Sequence, residues 1–305
     1  MSEILSFITN FFTADIRTTV PLLLAALGLV FSERAGIVNI GTEGIMLVGA
    51  VFGCIGSSQF SNPLMGALCA MVSGMMCGLI FGFFTITLRS NQIVVGTAFN
   101  ILAAGLTVTL NRKLLTNSTI LGYNRFPIPG LSKIPVLGEI LFNWQMLVYL
   151  AFILVPVCWF VLYKTNLGLK IRAVGEHPKA CGTVGINVFR IRYSVLLFSG
   201  MMAGLAGSFV SMGQASTFIE GMVAGKGFMA LAVCVFGNYT PVRVMLAALL
   251  FGAADSLKYR LLTTSLGGYY QFLNMLPYVI TIISLCILAK RSNKPAASGV
   301  AYRKE

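Results

Sequence analysis

Apolar runs of about twenty residues recur along the whole chain, and no other feature limits the fold as strongly. A hydrocarbon core about 30 Å thick requires about 20 apolar residues per helix. Nine segments satisfy this, at approximately 15–31, 37–56, 62–88, 90–110, 144–163, 191–213, 218–237, 241–257 and 269–289. The expected fold is therefore an all-α polytopic membrane protein with about nine transmembrane helices, within a range of eight to ten. Composition agrees, with 57% hydrophobic and only 10% charged residues, against about 25% charged in soluble domains. Prolines at or near helix starts (Pro21, Pro63, Pro241) are tolerated where neighbouring helices or a cavity satisfy the loosened backbone.

A net charge of +13 raises the possibility of nucleic-acid binding, and the placement of the charges excludes it. They sit mostly at helix ends, without a basic, aromatic-interleaved patch. Six of the seven cysteines lie in apolar runs, and none forms a CxxC or Cys/His cluster; they read as small buried hydrophobes, with no metal ligands among them. The first seventeen residues lack a basic segment before an apolar core, which argues against a cleaved signal peptide.

Orientation follows from the bias of lysine and arginine. Placing the tail with Lys290, Arg291, Lys294, Arg303 and Lys304 in the cytoplasm brings the loop 164–190 to the same side, together with Arg34, Arg89 and Arg243. The inside count is then fourteen against seven outside, with Lys226 left within a span. The N-terminus is expected outside, and 111–143 as an exposed outer loop.

The segments "NPLMGALCAMVSG" (62–74) and "TPVRVMLAALLFG" (240–252) align without gaps, and "GIMLVGAVFG" (44–53) resembles "GFMALAVCVFG" (227–237). The third span thus corresponds to the eighth and the second to the seventh. A displacement of five helices reverses direction, so the halves, about 37–110 and 218–289, are expected to be inverted repeats with a path at their interface. Glycine-rich membrane helices also resemble each other by composition alone.

Catalytic residues are scarce. The single histidine, His177, lies among lysines and arginines in the loop, and no HExxH, GxxxxGK[ST] or Ser/His/Asp set is present. The glycine-rich "GTEG" and "AGKG" are very weak as phosphate loops. Membrane-depth charges are more informative, because they face a bundle interior or water. Glu43 and Lys226 occupy equivalent places in the two glycine-rich starts; they either pair with each other or with helix ends, or touch a cargo. Asn39 and Asn100 are candidates for lining a cavity or for interhelical hydrogen bonds. Asp255, Lys258 and Arg260 read as a solvated rim.

The loop "LKIRAVGEHPKACGTVGINVFRIRY" (169–193) holds the most specific local signal. Pro178 suits the first position of a short helix over 178–184, with Gly185 at its exit and His177 as a weak N-cap. Such a helix, flanked by basic residues, either docks on another protein or lies on anionic headgroups.

"RAGIVNIGTEGIMLVGA", "NQIVVGTAFNILAAGLT", "IRAVGEHPKACGTVGINVFRIRYSVLLFSGMMAGLAG", "GKGFMALAVCVFGNYTPVRVMLAALLFG" and "LPYVITIISL" together resemble the permeases of bacterial ABC importers in the ribose and branched-chain amino-acid permease superfamily, and most of all the shorter permease of its nucleoside-uptake branch. The resemblance runs from about residue 20 to 289. It implies a single transmembrane permease domain over 1–290 with a basic cytoplasmic tail, 291–305, in a bacterial plasma membrane. The protein is then no enzyme and holds no cofactor of its own. ATP is hydrolysed by a separate cytoplasmic ATPase, a substrate-binding lipoprotein delivers cargo, and a second, longer permease completes a heterodimer. The family's "GENP" coupling helix falls on Gly175, Glu176, Pro178, Lys179 and Ala180, with His177 where asparagine is common. Cargo would pass by alternating access along a path with Asn39, Glu43, Asn100, Lys226 and Phe228 as candidates, Phe228 being able to stack on a base. A simple sugar such as ribose, a flavin-type vitamin, and a secondary transporter acting alone are the alternatives.

Overall fold

The computed structural model describes residues 2–115, 119–127, 142–262 and 293–303, with 271, 272, 275, 279, 282 and 283 in addition. Helix α1 (Ser2–Arg34) is followed by α2 (Thr42–Phe60), α3 (Pro63–Gly82) and α4 (Gln92–Leu110). A short antiparallel pair, β1 (Arg125–Pro127) with β2 (Asn143–Gln145), leads into α5 (Met146–Lys164). Then come α6 (Asn166–Glu176), α7 (Pro178–Thr183), α8 (Val188–Ser208), α9 (Lys226–Phe236) and α10 (Pro241–Leu262). Helices α3, α4 and α8 run on into single π-helical turns at 83–87, 111–115 and 209–215.

Among the described residues, six helices are long and apolar enough to cross a membrane: Thr9–Arg34, Thr42–Phe60, Pro63–Thr87, Gln92–Leu115, Met146–Lys164 and Val188–Ala215. They answer to the first six predicted spans, and the chain is a multi-pass membrane protein. The seventh, 218–237, is not one helix. Residues 220–225 form turns, and α9 has only 11 residues, a rise of about 16 Å or half of a hydrocarbon core. The eighth is helical over Pro241–Leu262 and carries Arg243, Asp255, Lys258 and Arg260. The ninth, 269–289, lies outside the described residues apart from a few positions.

Helix α1 forms the axis of the bundle. Residues Leu22 to Leu27 are almost completely enclosed, and the helix packs against α8, α9 and α10. Helices α3 and α4 turn apolar side chains such as Leu68, Val72, Ile93, Ile101 and Leu102 outward, as lipid-facing helices do. Where α3 meets α8 the two backbones touch. A Cβ on Gly74 would strike the Gly200 carbonyl, and one on Gly200 would strike that of Gly74. Only glycine allows this approach, which replaces the missing hydrophobic drive between helices in lipid with close van der Waals contact.

The helix ends sort the bundle into two faces. At one, the Gln92 side chain accepts from the Val38 amide (2.8 Å), Arg34 donates to the Tyr239 carbonyl (2.9 Å), and the Ala297 and Gly299 amides donate to the carbonyls of Gly175 (2.9 Å) and Gly36 (3.0 Å). Asparagine side chains cap α4 (Asn91) and α8 (Asn187) at this face. At the other, Ser57 bonds to the Leu121 carbonyl, Arg112 pairs with Glu220, and Arg17 and Gln214 exchange side-chain-to-carbonyl bonds. The tail, read from sequence as a basic extension, packs against the bundle over 293–303: Pro295, Ala297 and Tyr302 are buried.

Candidate functional site

The break in the seventh span creates the most unusual polar junction of the molecule. Glycines at 225 and 227 frame Lys226, and Gly225 takes φ +84°, a conformation that turns the chain into α9 with its first amides pointing outward. The Glu43 carboxylate, in the first turn of α2, receives them: Oε1 accepts from the Gly225 amide at 2.8 Å and Oε2 from the Gly227 amide at 2.6 Å. A Cβ on Gly227 would stand 2.5 Å from the Glu43 backbone nitrogen, so glycine is also required for closeness. The "AGKG" glycines, weak as a phosphate loop, do build an anion-receiving helix N-terminus, and its anion belongs to the protein.

Of the two sequence readings for Glu43 within the structure, pairing with a helix end is the one found. No ion pair joins it to Lys226 among the described residues. Lys226 is half-buried, with Asp255, Lys258 and Glu43 as its electrostatic neighbours. Asp255 and Lys258 form a 2.7 Å pair with side chains only 9% and 15% exposed. The expected solvated rim is thus enclosed within the bundle: Asp255 is buried, and its pair with Lys258 lies beside Lys226 at the start of α9.

The two asparagines part company. Asn100, on α4, accepts from the Gly44 amide at 2.8 Å and donates to the Ile40 carbonyl at 3.0 Å. It is an interhelical clamp on the chain entering α2. Asn39 is fully buried, and neither its side-chain oxygen nor its nitrogen has a partner. It stands in the irregular link before α2, close to Gly41. Such an orphaned amide costs about 1–3 kcal/mol and marks a position where packing alone would favour an apolar residue. Phe228 is exposed at 47% on the first turn of α9. Glu43, Lys226 and Phe228 therefore share one junction, and Asn39 and Asn100 flank the start of α2.

The predicted short helix forms as expected. It spans Pro178–Thr183, with Pro178 at its first position, His177 as an N-cap without a side-chain bond, and Gly185 at φ +84° beyond its end. Lys179, Ala180, Thr183 and Val184 are exposed, whereas Cys181 is buried against Val174, Val188 and Tyr302. Sequence reading missed three partners of this region. Helix α6 precedes it, capped by Thr165 on the Gly168 amide (3.2 Å). Arg34, read only as one of the cytoplasmic charges, donates to the carbonyls of Tyr239 and Asn238. The tail supplies Tyr302. The Thr165 cap is a legible signal; the other two are long-range and leave none.

Comparison with known proteins places this geometry. A family model described as "Branched-chain amino acid transport system / permease component" matches residues 13–285. The guanosine ABC transporter permease protein NupQ of Bacillus subtilis is 38% identical over 99% of this chain and 99% of its own length. The nucleoside ABC transporter permease protein NupC of Lactococcus lactis is 37% identical over 93% of both. TsgC13 of Haloferax volcanii, named for glucose ABC transport, is 38% identical over 86% of this chain and 81% of its own. Among solved structures, PsaBC from Streptococcus pneumoniae in complex with Fab shares the fold at a TM-score of 0.52 and 13% identity, over 90% of each chain.

Proposed function

This chain belongs to the family of branched-chain amino acid transport system permease components, and from that membership we propose that it is the membrane-spanning subunit of an ATP-driven importer carrying nucleosides into a bacterial cell. The observation that carries the cargo class is its near-full-length likeness to relatives named for guanosine and nucleoside transport. ATP is hydrolysed by a separate cytoplasmic ATPase that seats on Gly175–Ala180 and Gly185. A second, longer permease lies beside this chain, and a lipoprotein delivers the cargo from outside. The face bearing α7, Arg34, Arg89 and the tail is the cytoplasmic one, with the N-terminus outside.

The half-helix α9 supports an alternating-access reading. Broken helices with termini at mid-membrane depth supply polar groups to a path while staying hydrogen-bonded elsewhere. The two halves are inverted repeats, and ATP-driven closure, transmitted through α6–α7, rocks them about the junction of Glu43, Lys226 and Phe228. Coupling of this kind requires two global states biased differently by nucleotide and by cargo. Phe228 stacks on a base, and Asn39 gains in the open path the partner it lacks here.

The test is uptake of radiolabelled guanosine, adenosine, cytidine, ribose and glucose in a strain deleted for this chain and complemented with it. Nucleoside uptake restored in an ATP-dependent manner is the expected result. Restoration of sugar uptake alone would favour the second reading, a simple-sugar importer, which rests on the likeness to TsgC13.

A further inference from the structure

The described part of the tail does more than end the chain. Between Asn293 and Tyr302 it touches five segments of the α7-bearing face: the α1–α2 link, α6, α7, α8 and the α9–α10 link. The Asn293 amide donates to Asn238 Oδ1 (2.8 Å), the Ala296 amide to Glu176 Oε2 (3.2 Å), the Ala297 amide to the Gly175 carbonyl and the Gly299 amide to the Gly36 carbonyl. Arg192, on α8, is 1% exposed. Its Nη1 donates to the Val300 carbonyl at 3.0 Å, while Nε and Nη2 have no acceptor. Tyr302 closes the array, 8% exposed, packed edge-on against Phe189 and over Cys181 and Val188. A segment of ten residues thus ties the α1–α2 link, α6, α8 and the α9–α10 link together.

On its outer side the same segment walls a groove of about 450 Å³ against α7, with Glu176, His177, Pro178 and Ala180 on one bank and Ala296, Ala301 and Arg303 on the other. The groove is mostly apolar, with Lys179 and Arg303 as its cations. Glu176, its carboxylate, is engaged by the tail's own backbone. We propose that residues 294–303 are the second half of the ATPase docking surface: the groove they form with α7 takes an apolar segment of the ATPase flanked by acidic side chains. This rests on the importer reading above, and it changes what that reading requires. The coupling element is not α7 alone but α7 braced and completed by the C-terminal segment, so force on the groove reaches both halves of the bundle through the backbone bonds just described.

The experiment purifies the full importer through a tag on this chain, co-expressed with its ATPase and second permease, and measures the ATPase retained. Three variants are compared. Ala180→Trp obstructs α7, Ala301→Trp fills the tail bank, and Arg303→Glu reverses an exposed charge with no fold role. Monodisperse elution confirms folding, and Arg303→Glu keeps the test decisive if a tryptophan variant fails this control. All three are expected to lower retained ATPase by about fivefold or more, the size of a moderate interface contact. If Ala180→Trp strips the ATPase while Ala301→Trp and Arg303→Glu retain it at the wild-type level, the tail has no part in docking and the inference falls with the importer reading intact. If all three retain it, the importer reading falls as well.

Discussion

Replacing Glu43 by glutamine tests whether a carboxylate at the α9 N-terminus holds the broken span together. In the native protein the two carboxylate oxygens each accept one amide, from Gly225 at 2.8 Å and Gly227 at 2.6 Å. Glutamine keeps one acceptor and turns an NH2 group toward the other amide, so one donor at a largely enclosed site loses its partner. An unsatisfied buried donor costs about 1–3 kcal/mol, and losing charge assistance on the remaining bond adds about 1 kcal/mol. A domain of this size loses about 2–4 °C in Tm per kcal/mol, so Glu43→Gln should lower Tm by about 4–16 °C. The assay is thermal unfolding in detergent with a thiol-reactive dye, since Cys54, Cys77, Cys158, Cys181 and Cys234 are buried and become reactive only on unfolding. A double-mutant cycle with Lys226→Met separates the two possible partners. Coupling below about 1 kcal/mol is expected, because the two side chains act on each other through space without an ion pair. A Tm for Glu43→Gln within 1 °C of wild type, or its full rescue by Lys226→Met, would refute the amide-acceptor account and restore a Glu43–Lys226 ion pair.

The remaining predictions concern the other polar clamp, the orphaned amide, the helix crossing and the orientation. Asn100→Ala strips partners from the Gly44 amide and the Ile40 carbonyl and should cost about 2–4 kcal/mol in the same dye assay. Asn39→Leu removes an amide that bonds to nothing; Tm should hold or rise while nucleoside uptake falls, and unchanged uptake would remove Asn39 from the path. Gly200→Val drives a side chain into the Gly74 backbone and should abolish stable expression, whereas Gly105→Val, with nothing within 4 Å of its Cβ, should be tolerated. Asn124→Cys, exposed at the face opposite α7, should react with an impermeant maleimide in intact cells, and reaction only after lysis would reverse the orientation.

Much of the architecture is local and therefore legible. Hydropathy over twenty residues located the six long helices, because a bilayer makes the length and apolarity of each span a property of that span alone. The short helix after His177 was legible for a similar reason: Pro178 fixes its first turn and Gly185 supplies the positive φ beyond its end. The one long run that misled, 218–237, is apolar enough for a span, but its glycines allow the backbone to turn and start a helix halfway.

What the sequence by itself determined about this protein is its solvent, its helical content, the ends at which its cations collect and the residues polar enough to matter. Which partner each polar residue takes was decided only by the tertiary structure. Glu43 meets amides 182 and 184 residues away, Asn100 is satisfied while Asn39 is not, and a tail read as a basic extension lies under α7 with Tyr302 enclosed. Hydropathy and capping act over one to five turns of a single helix. A hydrogen bond is made within about 3 Å of wherever packing has brought its partner, and packing here depends on glycines that record how closely two helices approach without recording which two.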